Sequence, residues 1–113
     1  MLSNLKLSSM DVSVNKYDTI EKMIYDEGIR IVAVDIHSEL DIMLVVLNTN
    51  AVLRQKLSSY KNLKGAEKES LLQFELTGKG TGIHWPLLDE DLSLKGFLRD
   101  ELLNFVKKDT VAA

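Results

Sequence analysis

Residues 1–17 are polar and serine-rich, with Leu2, Leu5, Leu7 and Met10 standing isolated among them. That pattern predicts a poorly ordered or arm-like segment rather than core. Asp18 and Glu21 have the spacing of a capping box, Ile20, Met23 and Ile24 recur at i, i+3 and i+4, and Gly28 stands where a helix would stop, so an amphipathic helix is predicted over residues 19–27. Residues 29–36 are rich in β-branched side chains, His37, Ser38 and Glu39 make a polar break, and residues 40–47 are almost wholly aliphatic. These two runs predict a hairpin. After the turn-forming Asn48, Thr49 and Asn50, residues 51–57 predict a third strand, with Leu53 and Leu57 on one face and Arg54 and Lys56 on the other. The second run is apolar on both sides, at Ile42, Leu44 and Val46 and again at Met43, Val45 and Leu47. Both faces of the sheet are therefore expected to be covered there, one by helices and the other by a second subunit.

Further along, residues 61–68 are polar and contain Gly65, residues 67–72 predict a brief helical turn, and Phe74 and Leu76 begin another strand. Gly78, Gly80 and Gly82 then alternate with Lys79 and Thr81 ahead of Ile83, His84 and Trp85. A strand follows these glycines, not a helix, so they predict a turn or bulge that needs positive φ and not a phosphate cradle. Beyond Pro86 and the acidic cluster Asp89, Glu90, Asp91 comes a second amphipathic helix, with Ser93 as its N-cap and Leu94, Phe97, Leu98, Leu102, Phe105 and Val106 as its apolar positions. The fold class expected is α+β: one domain over residues 18–107, followed by a tail at 108–113. Its sheet is mainly antiparallel, of about four to five strands, with an N-terminal and a C-terminal amphipathic helix.

Composition narrows the functional classes. A chain of 113 residues, 45% hydrophobic and 27% charged, is a globular composition with room for one core. The formal charge is -3 and the 14 basic residues are dispersed, so nucleic-acid binding by this chain alone is not expected. The lack of cysteine excludes disulfides, thiolate metal sites and cysteine nucleophiles. The longest apolar run, Ile42 to Leu47, is too short to cross a bilayer, and no secretory apolar region stands near the start. A cytoplasmic location without membrane attachment is the expectation.

Candidate chemistry is sparse. His84, Asp89 and Asp91 offer ligand atoms, but a metal needs three or four that converge, and this spacing guarantees no such meeting. With His37 and His84 the only histidines, a nucleophilic triad has little to draw on, and no catalytic residue, metal or cofactor is expected. Asp89, Glu90 and Asp91 precede the last helix, where each would gain about 0.3–1 kcal/mol from its positive end. The same three residues could instead present an acidic patch to a basic partner.

The most specific string is Gly-Ile-His-Trp-Pro-Leu-Leu-Asp-Glu-Asp-Leu-Ser-Leu-Lys-Gly-Phe-Leu at residues 82–98. It resembles the signature of the bacterial family called domain of unknown function 2442, which carries a similar Gly-x-His-Trp, then Leu-Asp-x-Asp and a short helix. The order of upstream elements is similar too, from Asp18 to Leu103. The resemblance implies a compact α+β domain, frequently a homodimer, with no established enzymatic activity and often encoded beside a small partner protein, in an arrangement similar to toxin–antitoxin operons. His84, Trp85, Asp89 and Asp91 are carried over as family-motif residues. Physically, Trp85 is expected to bury its ring against the last helix, with Asp89 or Asp91 accepting its N–H or capping that helix. The leading expectation is a non-enzymatic, antitoxin-like interaction module that dimerises through its aliphatic sheet and occludes a small cytoplasmic partner encoded nearby. A transcription-associated or DNA-binding regulator, suggested by relatives that continue into a helix-turn-helix, is the alternative; a metal-dependent enzyme using His84, Asp89 and Asp91 is a remote one.

Overall fold

A computed structural model describes residues 12–112, with side chains described over residues 19–106. The elements run in the order α1 (Val12–Tyr25), β1 (Ile31–His37), β2 (Ile42–Leu47), β3 (Val52–Lys56), α2 (Lys68–Leu71), β4 (Glu75–Thr77), β5 (Gly82–Trp85), β6 (Glu90–Ser93) and α3 (Leu94–Ala112). The protein is α+β with antiparallel pairing throughout, but the strands form two three-stranded sheets, β1-β2-β3 and β4-β5-β6, in place of the single sheet of four to five expected. The extra strand is β6. Its sequence, Glu-Asp-Leu-Ser, is poor in strand-forming residues, and pairing with β5 overrides that local preference.

Helix α1 begins at Val12, upstream of the expected residue 19, so Asp18 lies inside the helix and does not cap it. No glycine or proline interrupts residues 12–25, and a helix once nucleated propagates through such a run. Residues 1–11, most of the expected arm, lie outside the described residues. The stop at Gly28 is as expected: its φ is +77°, and the N–H of Ile29 returns to the Met23 carbonyl at 2.9 Å. Arg30 closes this end of the helix by donating to the carbonyls of Ile24 and Ile29, the latter at 2.8 Å.

The β1–β2 connection is a 3-10 turn, Ser38–Leu40, ended by Asp41 in the left-handed region at φ +58°. Leu40, expected in the second strand, is instead exposed in this turn. The Asp41 carboxylate explains why: it accepts from the Ser58 N–H at 2.9 Å and from the Ser58 hydroxyl, tying the hairpin tip to the end of β3. Asn48 joins the opposite end, accepting from the Arg30 N–H at 3.0 Å and donating to the Gly28 carbonyl at 2.8 Å.

One hydrophobic core runs through the described residues. The first sheet contributes Ile31, Ile36, Met43, Val45, Leu47 and Leu53, the second contributes Ile83 and Trp85, and the helices add Ile20, Ile24, Leu71, Leu94 and Phe97. The glycine turn joins the two sheets. The carbonyl of Gly80, a residue at φ +95°, accepts from the Ile31 N–H at 2.8 Å, and a Cβ at Gly80 would stand 2.7 Å from the Ile31 carbonyl oxygen, so only glycine fits. Helix α3 starts with the expected N-cap, the Ser93 hydroxyl accepting from the Gly96 N–H at 3.0 Å. Its apolar stripe is buried only at first: Leu94 and Phe97 lie in the core and Leu98 packs against it, whereas Phe105 and Val106 are exposed.

Candidate functional site

The His-Trp motif lies on β5, where successive side chains point to opposite faces. Trp85 points inward and is fully buried; its ring meets Phe74 at a centroid distance of 6.0 Å. Its indole N–H donates to the Leu71 carbonyl at 2.9 Å, not to Asp89 or Asp91 as expected, because those acids belong to the turn and strand that follow while the end of α2 lies over the ring. His84 points the other way. Its Nδ1 lies 2.7 Å from Asp91 Oδ1, and the two residues are directly opposite each other on β5 and β6.

The acidic cluster does not lie at the helix start. Asp89 occupies the β5–β6 turn at φ +51°, Glu90 accepts from the Asn62 side chain at 3.0 Å, and Asp91 is taken by His84. Leu92 and Ser93 separate all three from α3. The His84–Asp91 pair is 31% and 74% exposed, and a pair in such contact with water contributes at most about 1 kcal/mol. Among the described residues, no three histidine, aspartate or glutamate side chains are arranged to hold a metal ion. His84, Trp85, Asp89 and Asp91 therefore divide between a buried anchor, a surface pair and a turn, and do not converge.

A different surface is organised. On the inner face of the first sheet Met43, Val45 and Leu47 are buried; on the outer face Ile42, Leu44 and Val46 are only partly shielded. These three neither belong to the core nor pack against it. The register sets them in cross-strand rows: His37–Ile42–Lys56, Asp35–Leu44–Arg54 and Ala33–Val46–Val52. The outer face is thus an aliphatic stripe with an acid on the β1 side of its middle row and bases on the β3 side. Asp35 also pairs with His37, whose Nε2 lies 2.9 Å from Asp35 Oδ2. The bulge at Val32 produces this arrangement, since it shifts the register between Ile31 and Ala33 and leaves Val32 itself 54% exposed.

A second apolar surface is a groove of about 540 Å³ between α1 and α3, lined by Ile20, Met23, Leu98, Leu102 and Phe105 with Thr19 and Glu101. A salt bridge between Lys95 and Glu21, 2.6 Å long, ties the two helices together beside it. Lining of this kind suits an apolar ligand or helix face; among the described residues it brings no reactive group together.

Sequence reasoning placed Arg54 and Lys56 on the face opposite Leu53 but did not find Asp35 across the stripe, because the bulge hides the alternation of β1. The alternation of Ala33, Asp35 and His37 downstream of the bulge is the signal that carries it. No described helix is long and apolar enough to cross a membrane.

Comparison with known proteins is consistent with this architecture. A protein of unknown function from Rhodospirillum rubrum, solved by crystallography, is 27% identical, covers 65% of this chain and 88% of its own, and superposes with a TM-score of 0.58. An uncharacterised protein from Chromobacterium violaceum, solved by NMR, is 24% identical, with coverage of 73% and 74% and a TM-score of 0.59, and shares the fold. No curated protein matches the chain. Residues 31–101, well over half of the chain and all six strands, match the family described as protein of unknown function (DUF2442), and the chain belongs to that family.

Proposed function

We propose that this chain is a non-enzymatic protein-interaction module that works through the outer face of its first sheet. One observation carries the reading: Ile42, Leu44 and Val46 lie in a row on the central strand, outside the core, although aliphatic side chains gain about 1.5–3 kcal/mol each from full burial. A contiguous aliphatic stripe rimmed by polar residues is a surface that another protein can cover. The finer reading is an antitoxin-like module, acting in the cytoplasm on a small protein encoded nearby, and it rests on the family resemblance.

The test is to co-express the full chain with the product of the adjacent gene and to measure both co-purification and self-association, for the wild type and for Leu44→Lys. Association, with itself or with the neighbour, is expected in the wild type and is lost in Leu44→Lys, while circular dichroism shows the variant folded. A wild type that binds nothing, or associations that Leu44→Lys leaves intact, would overturn the reading. A neighbour that neither binds nor is toxic when expressed alone removes the antitoxin part.

A further inference from the structure

The outer face carries more than an apolar stripe, because its charges are arranged to match themselves. Asp35 lies on β1 and Arg54 on β3, level with each other on either side of Leu44, and both are exposed. Consider two copies of the sheet placed face to face. If the two-fold axis runs parallel to β2, β1 of one copy lies over β3 of the other and each row keeps its level. Asp35 then faces the second copy's Arg54, Arg54 faces its Asp35, and Leu44 faces Leu44. If the axis instead runs across the strands at the level of Leu44, Asp35 lies over Asp35 and Arg54 over Arg54. Like charges brought opposite one another in an interface are strongly unfavourable, so the register selects the first arrangement.

From this we infer that the face is covered by a second copy of this chain, in a sheet-on-sheet dimer whose two-fold axis runs along β2. The inference rests on the interaction-module reading and adds to it the partner and the geometry. Two sheets packed this way cross at about -30° and lie about 10 Å apart. Along the stripe Ile42 meets Ile42, Leu44 meets Leu44 and Val46 meets Val46, while Ala33 lies over Val52 in the apolar end row. At the other end His37 lies over Lys56, with the Glu39 carboxylate 3.8 Å from His37 Nδ1 to offset the base. The interface is isologous, which is how closed dimers are built.

The experiment measures the solution mass of the full chain by sedimentation across a concentration series. The wild type is expected at twice its 12.7 kDa chain mass. Asp35→Arg and Arg54→Asp each set two like-charge pairs in the interface and are expected to weaken dimerisation about tenfold or more. The double variant, Asp35→Arg with Arg54→Asp, exchanges the two charges, so each base again faces an acid of the second copy and dimerisation returns. An axis across the strands predicts no such rescue, because both charges would again meet their own kind.

Crosslinking gives an answer independent of charge. The chain has no cysteine, so Ile42→Cys and Val46→Cys each introduce one. Facing backbones about 10 Å apart are too distant for a disulfide, which requires Cα atoms within about 7 Å. A short bismaleimide is expected to bridge each variant to its own copy, whereas the crossed arrangement would bring residue 42 to residue 46. A monomeric wild type, a dimer indifferent to Leu44→Lys, absence of rescue, or absence of both crosslinks overturns the inference. Should the wild type be monomeric while Leu44→Lys abolishes binding of the adjacent gene product, the second-copy inference fails and the interaction-module reading stands. If Leu44→Lys changes neither, both fail.

Discussion

Replacing Trp85 by phenylalanine tests whether the family motif is built for stability. The indole N–H donates at 2.9 Å to the Leu71 carbonyl, which belongs to the last residue of α2, where no intrahelical donor remains for it. Phenylalanine leaves that buried carbonyl without a partner, at about 1–3 kcal/mol. It also opens a void beside Phe74 where the larger ring stood, and a partly collapsed cavity of that size adds about 1 kcal/mol or more. The expected loss is about 2–4 kcal/mol, a large share of the roughly 5–15 kcal/mol that stabilises a domain of this kind.

His84, next in the chain and on the opposite face, provides the contrast. Its pair with Asp91 is open to water, and His84→Ala is expected to cost less than about 1 kcal/mol. Urea unfolding followed by far-ultraviolet circular dichroism suits both variants, since Trp85 is the only tryptophan and its fluorescence vanishes with it. All melts are run at one chain concentration, because dimerisation would couple to stability. A Trp85→Phe variant within about 0.5 kcal/mol of the wild type, the range of an ordinary surface substitution, would refute the reasoning. So would a His84→Ala variant as costly as Trp85→Phe.

Two further outcomes follow from the core and the glycine turn. Gly80→Ala is expected to lower stability by about 2 kcal/mol or more, because a Cβ there stands 2.7 Å from the backbone oxygen of Ile31 and the residue holds φ +95°; chemical denaturation checks it, and a neutral effect would mean that the two sheets are not held at this turn. Tyr60 donates to the buried Gln55, and burial, reinforced by Asp100 and Glu90, pushes its phenol up to about 12. The unfolded chain gives up that proton near pH 10, so stability is unaffected below about pH 10 and falls as pH rises toward about 12. Unfolding melts across that range are expected to show a steeper decline for the wild type than for Tyr60→Phe, and equal slopes would contradict the assignment.

Much of the fold was legible where a local pattern and the tertiary structure demand the same thing. Gly28 ends α1 and Ser93 caps α3, each because a single residue's backbone or side chain decides it, and the alternation of Leu53 against Arg54 and Lys56 in β3 survives because strand geometry sends neighbours to opposite faces. The division into two sheets was not legible. It depends on β6, whose Glu90 and Asp91 read as a charged helix start until β5 supplies the pairing that makes them a strand. The exposed end of α3 was equally hidden: Leu98, Leu102 and Phe105 continue one apolar stripe, and periodicity alone does not say how far the core extends beneath it.

The same contrast governs the candidate sites. Residues 82–98 form the most recognisable string in the chain, yet a strand sends neighbours to opposite faces, so His84 and Trp85 are adjacent in sequence and separated in space by the sheet itself. Such a string can be specific because the core needs it. Asp35, Leu44 and Arg54 carry no motif and are spread over twenty positions, yet two antiparallel pairings and one bulge set them level in a row. Had Val32 paired regularly with Val46 in place of bulging, the pairing fixed at Ile31 and Leu47 would place Asp35 opposite Met43 on the inner face, where an unpaired carboxylate could not be buried. The bulge therefore holds the acid on the outer face, level with Leu44. That placement matters only if something with a matching base lies over the stripe.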